Sequence, residues 1–269
     1  MIILLVCAVI FNLFVSASIA WGGLPFDLFT LRFAGGFFLL VFVCLHGWYR
    51  YGWQTMLIFF GITLAITWSA ESLSIETGIP FGNFHYTDLL GDKIGHVPIL
   101  IIPAYFFNGY LAWTLGNLFA GNLTAGMHRK DVVRVPLIST VIMVMWNLSF
   151  DPIMSTIEGN WVWHDGGFYF GVPLSNFIGW FITVFLVFQL FSFFLLWSGH
   201  FDVPSLRMSH WYLFPFMYMV QGLPSILYSF FRENDANIYQ PIALITFLTM
   251  FLPAIASIFV IRYRIAAKA

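Results

Sequence analysis

Charge is what this sequence has least of. Of its 269 residues, 11 are Lys or Arg and 12 are Asp or Glu, 9% in all. A water-soluble domain carries roughly 25%, so charges this few cannot cover a water-facing surface. The net charge of −1 provides no global field for nucleic acid or an acidic partner. Cysteine is equally scarce. Cys7 and Cys44 each lie inside an apolar run and read as small core residues, not as a disulfide or a metal pair. Catalytic signatures are missing as well. The seven histidines (46, 85, 96, 128, 164, 200 and 210) include no pair at i, i+3 or i, i+4 and no HExxH, which argues against a histidine-rich di-iron membrane oxygenase. No GxSxG and no phosphate-binding glycine loop occur. No NDxxD-like pair is available for magnesium-diphosphate chemistry, and the last apolar run has no central lysine for a retinal Schiff base. No internal repeat and no linker marks a second domain, so residues 1–269 read as one integral membrane domain.

Apolar residues are abundant instead: 60% are hydrophobic and 20% aromatic, with 33 Phe. So many rings either line a cavity or add bulk toward lipid. A spanning helix needs about 20 mostly apolar residues. Eight runs qualify, at roughly 2–20, 29–47, 54–73, 97–119, 133–150, 174–197, 209–230 and 238–261, with 133–150 the shortest. The expected fold is therefore all-α, a polytopic bundle of about eight (seven to eight) transmembrane helices. The first run lacks a basic n-region and reads as a helix, not a cleaved signal. With eight crossings both termini share a side. That side holds Arg50, Arg129, Lys130, Arg134, Arg207, Arg262, Arg264 and Lys268, against Arg32, Lys93 and Arg232 opposite. The positive-inside rule then places both termini in the cytoplasm; the cell (inner) membrane is the expected location. The acids divide the other way. Asp131 and Asp202 share the basic side, whereas Asp27, Glu71, Glu76, Asp88, Asp92, Asp151, Glu158, Asp165, Glu233 and Asp235 gather at the opposite face.

The two longest connections, 74–96 and 151–173, hold most of that acidic chemistry. Glu71 follows a run from Tyr51 to Ala70 that has no charge. An ionisable group at membrane depth usually faces a cavity or a partner, and desolvation disfavours the charged form of any carboxyl. A carboxyl that keeps its proton is what general acid catalysis needs. The alternative is a helix-end carboxylate in headgroup water or one holding a helix by a hydrogen bond. Glu76 offers the same choice nearer the surface. Gly78, Pro80 and Gly82 then break the helix, and irregular backbone at such depth survives only inside protein or along a polar cavity. Asp151 closes the fifth run, where Pro152 is expected to stop the helix. A carboxylate there opposes the helix dipole, so it has a specific partner or acts as a turn cap. From Trp161 to Trp180 the aromatics form either an interfacial belt or a ring-lined pocket whose negative faces stabilise a carbocation. Asn176 opens the sixth helix, where it can position a water.

These residues resemble a known family. Glu71, Thr77-Gly-Ile-Pro-Phe-Gly82, Tyr86-Thr87 and Leu90-Gly91, then Trp146 to Pro152, Gly159, Trp161, Trp163, Gly167, Tyr169, Gly171-Val-Pro173, Asn176 and Gly179-Trp180, resemble the carotenoid-biosynthesis membrane family. It contains CruF-type carotenoid 1,2-hydratases and bisanhydrobacterioruberin hydratases. The resemblance covers mainly residues 68–182. It implies a hydro-lyase that adds water across the terminal C1–C2 double bond of an acyclic carotenoid end. Lycopene, γ-carotene or a C50 precursor is the implied type of substrate, with water and membrane lipid as the other partners and no cofactor. On that reading Glu71 is the candidate acid, Asp151 the base and Asn176 the orienter of water, with Glu76 a further catalytic candidate. Thr77, Pro80, Phe81, His85, Tyr86, Trp146, Asn147, Trp161, Trp163, Tyr169 and Trp180 are the candidate substrate contacts. An Asp commonly stands in the family where this chain has Asn147. An amide is neither acid nor base, so any such role is absent here or falls to Asp151. The same substrates admit an isomerase or cyclase, and a transporter or carotenoid-binding protein is the alternative without chemistry.

Overall fold

The computed structural model describes residues 2–21, 28–123, 126–199, 211–231 and 236–266. Eight long helices make up most of them: α1 (Ile2–Trp21), α2 (Leu28–Tyr51), α3 (Trp53–Thr77), α4 (Ile101–Ala120), α5 (Arg134–Pro152), α6 (Leu174–Ser198), α7 (Leu213–Phe231) and α8 (Ala236–Thr246, then Leu252–Ala266). A π turn, Phe247–Phe251, joins the two parts of α8. Among the described residues, five stretches are long and apolar enough to cross a bilayer: Phe33–Tyr51, Trp53–Thr77, Arg129–Ile157, Leu174–Ser198 and Asn237–Tyr263. The all-α bundle expected from the apolar runs is the fold observed. Asp27, His200, Asp202, Arg207, His210, Arg232, Glu233, Asp235 and Lys268 lie outside the described residues, as do the side chains of Arg32 and Arg264.

Apolar residues on more than one side of the long helices serve neighbours inward and lipid outward. Leu57, Leu64, Ile178, Leu186 and Phe193 are exposed on the outer surface. Cys44 is exposed there too, not in the core as expected from its apolar run. Inward, Phe42, Phe59, Tyr110, Trp113, Phe188 and Phe191 are fully buried. Their rings meet at 4.6 Å between Phe59 and Phe191 and 5.2 Å between Trp113 and Phe191. In lipid such packing, not hydrophobic transfer, holds helices together. Small residues set the close approaches: a Cβ at Gly116 of α4 would meet the Ser139 backbone of α5 at 3.0 Å.

The bundle has two chemically different ends. At one, the Arg50 guanidinium lies over the Trp211 ring at 4.8 Å, Arg134 pairs with Asp131 at 2.7 Å, and Gln189 and Ser192 of α6 donate to the Val132 carbonyl. At the other, the long connections meet each other. Two short strands that the helical reading omitted, β1 (Phe84–Tyr86) and β4 (Trp161–Trp163), pair antiparallel with Phe84 opposite Trp163 and Tyr86 opposite Trp161. Between them in the chain, β2 (Lys93–Ile94) and β3 (Val97–Pro98) form a second small pair, so α4 begins at Ile101 instead of 97. The strands are too short and too aromatic to stand out from sequence, and their pairing is non-local.

Candidate active site

On α3 the buried positions Phe59, Thr63, Thr67 and Glu71 recur every four residues, which places them on one slowly turning face. Each threonine returns its hydroxyl to the carbonyl four residues back, at 2.8 Å, so it stays in a bilayer helix without an unpaired group. Glu71 ends this stripe at 3% exposure. Glu76 is five residues further, about 140° around the helix. It faces outward and meets His96 at 3.7 Å. Gly78 then takes the left-handed conformation (φ 77°) that closes α3, its N–H bonding the Ser74 carbonyl. Ser74 also pins the following turn: its hydroxyl accepts the Phe81 N–H at 2.9 Å and donates to the Gly82 carbonyl at 3.0 Å. Ser175 of α6 donates to the Phe81 carbonyl at 2.9 Å.

This turn sends β1 back over the end of the bundle. Alternation in β1 buries Phe84 and Tyr86 and exposes His85. Tyr86 OH donates to Glu71 Oε2 at 3.0 Å, and Tyr105 OH of α4 donates to Oε1 at 2.7 Å. Burial, and then the adjacent Glu71, push the Tyr86 phenol well above its usual range, so it keeps its proton. Tyr105 is held by stacking on Trp180, with ring centroids 4.5 Å apart at 17°.

Asp151 is the second buried carboxyl, 2% exposed. Pro152 does not stop the helix as expected. The helical path continues as a π turn, Ile153–Ile157. Pro152 has no N–H to give the Leu148 carbonyl; the Tyr169 hydroxyl supplies that bond at 2.8 Å. Three N–H donors converge on Asp151. Asn176 Nδ2 donates to Oδ2 at 2.5 Å, Trp161 Nε1 to Oδ1 at 3.0 Å and Asn147 Nδ2 to Oδ2 at 3.3 Å. Pairing of β4 with β1 brings Trp161 over the end of α5, and the start of α6 brings Asn176.

Both carboxyls line one cavity of about 510 Å³. Its wall runs along α7 from Met217 to Tyr228, about 16 Å of helix, and is mostly aliphatic and aromatic. Of the residues singled out by sequence, Glu71, Asp151, Asn176, Phe81, Tyr86, Trp146, Asn147, Trp161, Trp163 and Trp180 face this cavity. The others lie elsewhere. Glu76 and Thr77 are exposed. The Pro80 carbonyl packs where a Cβ on Gly179 would lie, at 2.7 Å. Tyr169 braces the α5 carbonyl. His85 is on the outer face of the hairpin, its Nδ1 3.1 Å from His164 Nε2. The sequence reading missed Tyr105. Its only signal is a phenol inside the run 97–119, which is hard to distinguish from a core ring.

The two carboxyls have chemically different partners. Glu71 meets two hydroxyls, which both donate and accept. The Asp151 oxygens meet three N–H groups, which only donate, with the Ser155 hydroxyl nearby, donating to the Asp151 main-chain carbonyl at 2.8 Å. A protonated Glu71 can therefore give its proton to one phenol while accepting from the other. A protonated Asp151 could give its proton only to the Ser155 hydroxyl or into the cavity, since none of the three N–H groups accepts it.

The family of carotenoid biosynthesis proteins matches residues 33–254. The chain belongs to that family. The bisanhydrobacterioruberin hydratase of Haloarcula japonica is 35% identical to it over 130 residues. That match covers 47% of this chain and 41% of the relative, so the chain spans less than half of the relative's length. No solved structure matches.

Proposed function

We propose that this member of the carotenoid biosynthesis family is a hydratase of the cell membrane. It adds water across the terminal C1–C2 double bond of an acyclic or monocyclic carotenoid to give a tertiary alcohol. The contrast in partner chemistry carries this reading: a carboxyl among hydroxyls suits an acid that starts protonated, and a carboxyl among N–H donors suits a base that starts ionised. The alkene π electrons take the Glu71 proton at C2, which leaves a tertiary cation at C1 and a carboxylate on Glu71. Trp180, Trp161 and Trp163 present rings to that cation. A water held at Asp151 and Asn176 bonds through oxygen to C1 and gives its proton to Asp151. Return of that proton to Glu71 resets both groups, so atoms and charge balance without oxidant or reductant. The elongated apolar wall suits a linear polyene that enters from the bilayer, and the polar end suits the arrival of water from the face with the long loops.

The test is expression in a host that makes lycopene or γ-carotene, supplied with oxygen-labelled water. The expected product has gained one water, with labelled oxygen. Glu71→Gln, which has no acidic proton, is expected to lower product by about 10²- to 10⁴-fold; conversion at the wild-type rate would remove Glu71 as the acid. A product of unchanged mass would replace hydration with isomerisation or cyclisation, and an unaltered carotenoid that copurifies with the chain would replace catalysis with binding or transport.

A further inference from the structure

The cavity contains two amides that the proposed reaction leaves unused. Asn108 of α4 is 4% exposed, and its Oδ1 meets no hydrogen-bond donor among the described residues. Gln221 of α7 likewise buries an Nε2 that meets no acceptor among them. Both residues line the cavity, and α4 and α7 pack against each other. Leaving such groups unpaired in an apolar wall costs about 1–3 kcal/mol each, and buried polar atoms in folded proteins nearly always have partners. Asn108 is one turn beyond Tyr105 on the same face of α4, about 4.5 Å deeper along the axis. One amide lacks a donor and the other lacks an acceptor. A hydroxyl is the group that both accepts and donates through one oxygen.

We propose that Asn108 and Gln221 form a second polar subsite, which binds a hydroxyl on the carotenoid a few carbons from the reacting alkene. This rests on the carotenoid reading of the cavity and adds a preference, within that substrate class, for acyclic ends that already bear an oxygen. The Oδ1 of Asn108 accepts from the ligand hydroxyl, and the Nε2 of Gln221 donates to it. The subsite also fixes register along the polyene: an oxygen seated there sets how far the terminal double bond reaches toward Glu71. Water is the weaker occupant on this geometry, because the two amides lie deeper in the bundle than the carboxyls, away from the face where water enters.

Binding is measured with the full chain in lipid nanodiscs, from quenching of protein tryptophan fluorescence by added carotenoid. The probes are lycopene and 4-hydroxylycopene, which differ by one hydroxyl. The wild-type chain is expected to bind 4-hydroxylycopene at least about tenfold more tightly. Asn108→Leu and Gln221→Leu should each remove most of that preference while binding lycopene as tightly as before or better. Both variants should melt no lower than wild type, since each removes an unpaired amide; this separates loss of the subsite from loss of fold. Equal binding of the two probes by the wild-type chain would overturn the proposal, as would a preference that survives in both variants. An amide pair that only holds water gives the first of these results. Because binding is read without turnover, a chain that prefers the hydroxylated probe yet forms no hydrated product would retain the subsite and refute the hydratase.

Discussion

Trp161 and Trp163 occupy the same strand, line the same cavity and differ in one respect. The Trp161 N–H donates to Asp151 Oδ1 at 3.0 Å, whereas the Trp163 N–H is buried without a partner among the described residues. Replacing each by Phe makes the same chemical change with different consequences. In Trp161→Phe the ring contact with Tyr86, now 5.9 Å between centroids, is largely kept, but Oδ1 of a carboxyl that is 2% exposed loses its side-chain donor. A hydrogen bond to a charged group contributes about 1.5–3 kcal/mol. If that bond keeps Asp151 ionised and aimed, the loss appears in kcat/KM as a factor of about 10–150. In Trp163→Phe no hydrogen bond is lost, the packing on Phe84 at 4.9 Å remains and a smaller ring still faces the cation, so the expected loss is smaller than in Trp161→Phe. The assay is hydration of lycopene by membranes that contain equal amounts of each variant, with kcat and KM separated and the melting temperature recorded. Equal damage from both substitutions would mean that the indole rings account for the whole effect and the Trp161 N–H adds nothing. Full activity in Trp161→Phe would refute the role given to its hydrogen bond.

Two further predictions concern the scaffold. A Cβ on Gly179 would lie 2.7 Å from the Pro80 carbonyl oxygen, and backbone cannot swing aside as a side chain can. Gly179→Ala should therefore destabilise the chain by about 1–3 kcal/mol and disturb the turn that carries β1, read as a lower melting temperature in detergent; an unchanged melt would show that α6 and the turn separate easily. The charge map predicts that the loops after α3 and α5 face away from the cytoplasm. A cysteine at exposed Asp88 should react with an impermeant maleimide on intact cells in a Cys7→Ala, Cys44→Ala background, and one at Arg129 only after lysis; the reverse pattern would invert the topology.

Part of the site is legible in the sequence. Glu71 stands out behind an uncharged run, with Glu76 beside it as a second candidate; the stripe of Thr63, Thr67 and Glu71 and the outward turn of Glu76 are findings of the structure. Asp151 and Asn176 drew attention as polar groups at the ends of apolar runs, where each needs a partner. Tyr105 did not, since a phenol inside an apolar helix looks like any other core ring until its hydroxyl has a neighbour. Tyr169 was read as a ring for the substrate, yet its hydroxyl goes to the carbonyl that Pro152 leaves without an N–H.

By itself the sequence determined that the chain folds into helices long and apolar enough to cross a membrane, and that two long connections rich in acids follow the third and fifth apolar runs. These follow from composition and period, which depend only on neighbours along the chain. Tertiary structure alone decided which acids share a cavity and what each one meets there. Glu71 acquires two hydroxyls and Asp151 three N–H donors because β1 and β4 pair across about 75 residues of sequence and because α4 and α6 bring Tyr105 and Asn176 beside them. Whether a carboxyl serves as acid or base depends on the few atoms within hydrogen-bond reach, and those atoms come from parts of the chain that no local pattern connects.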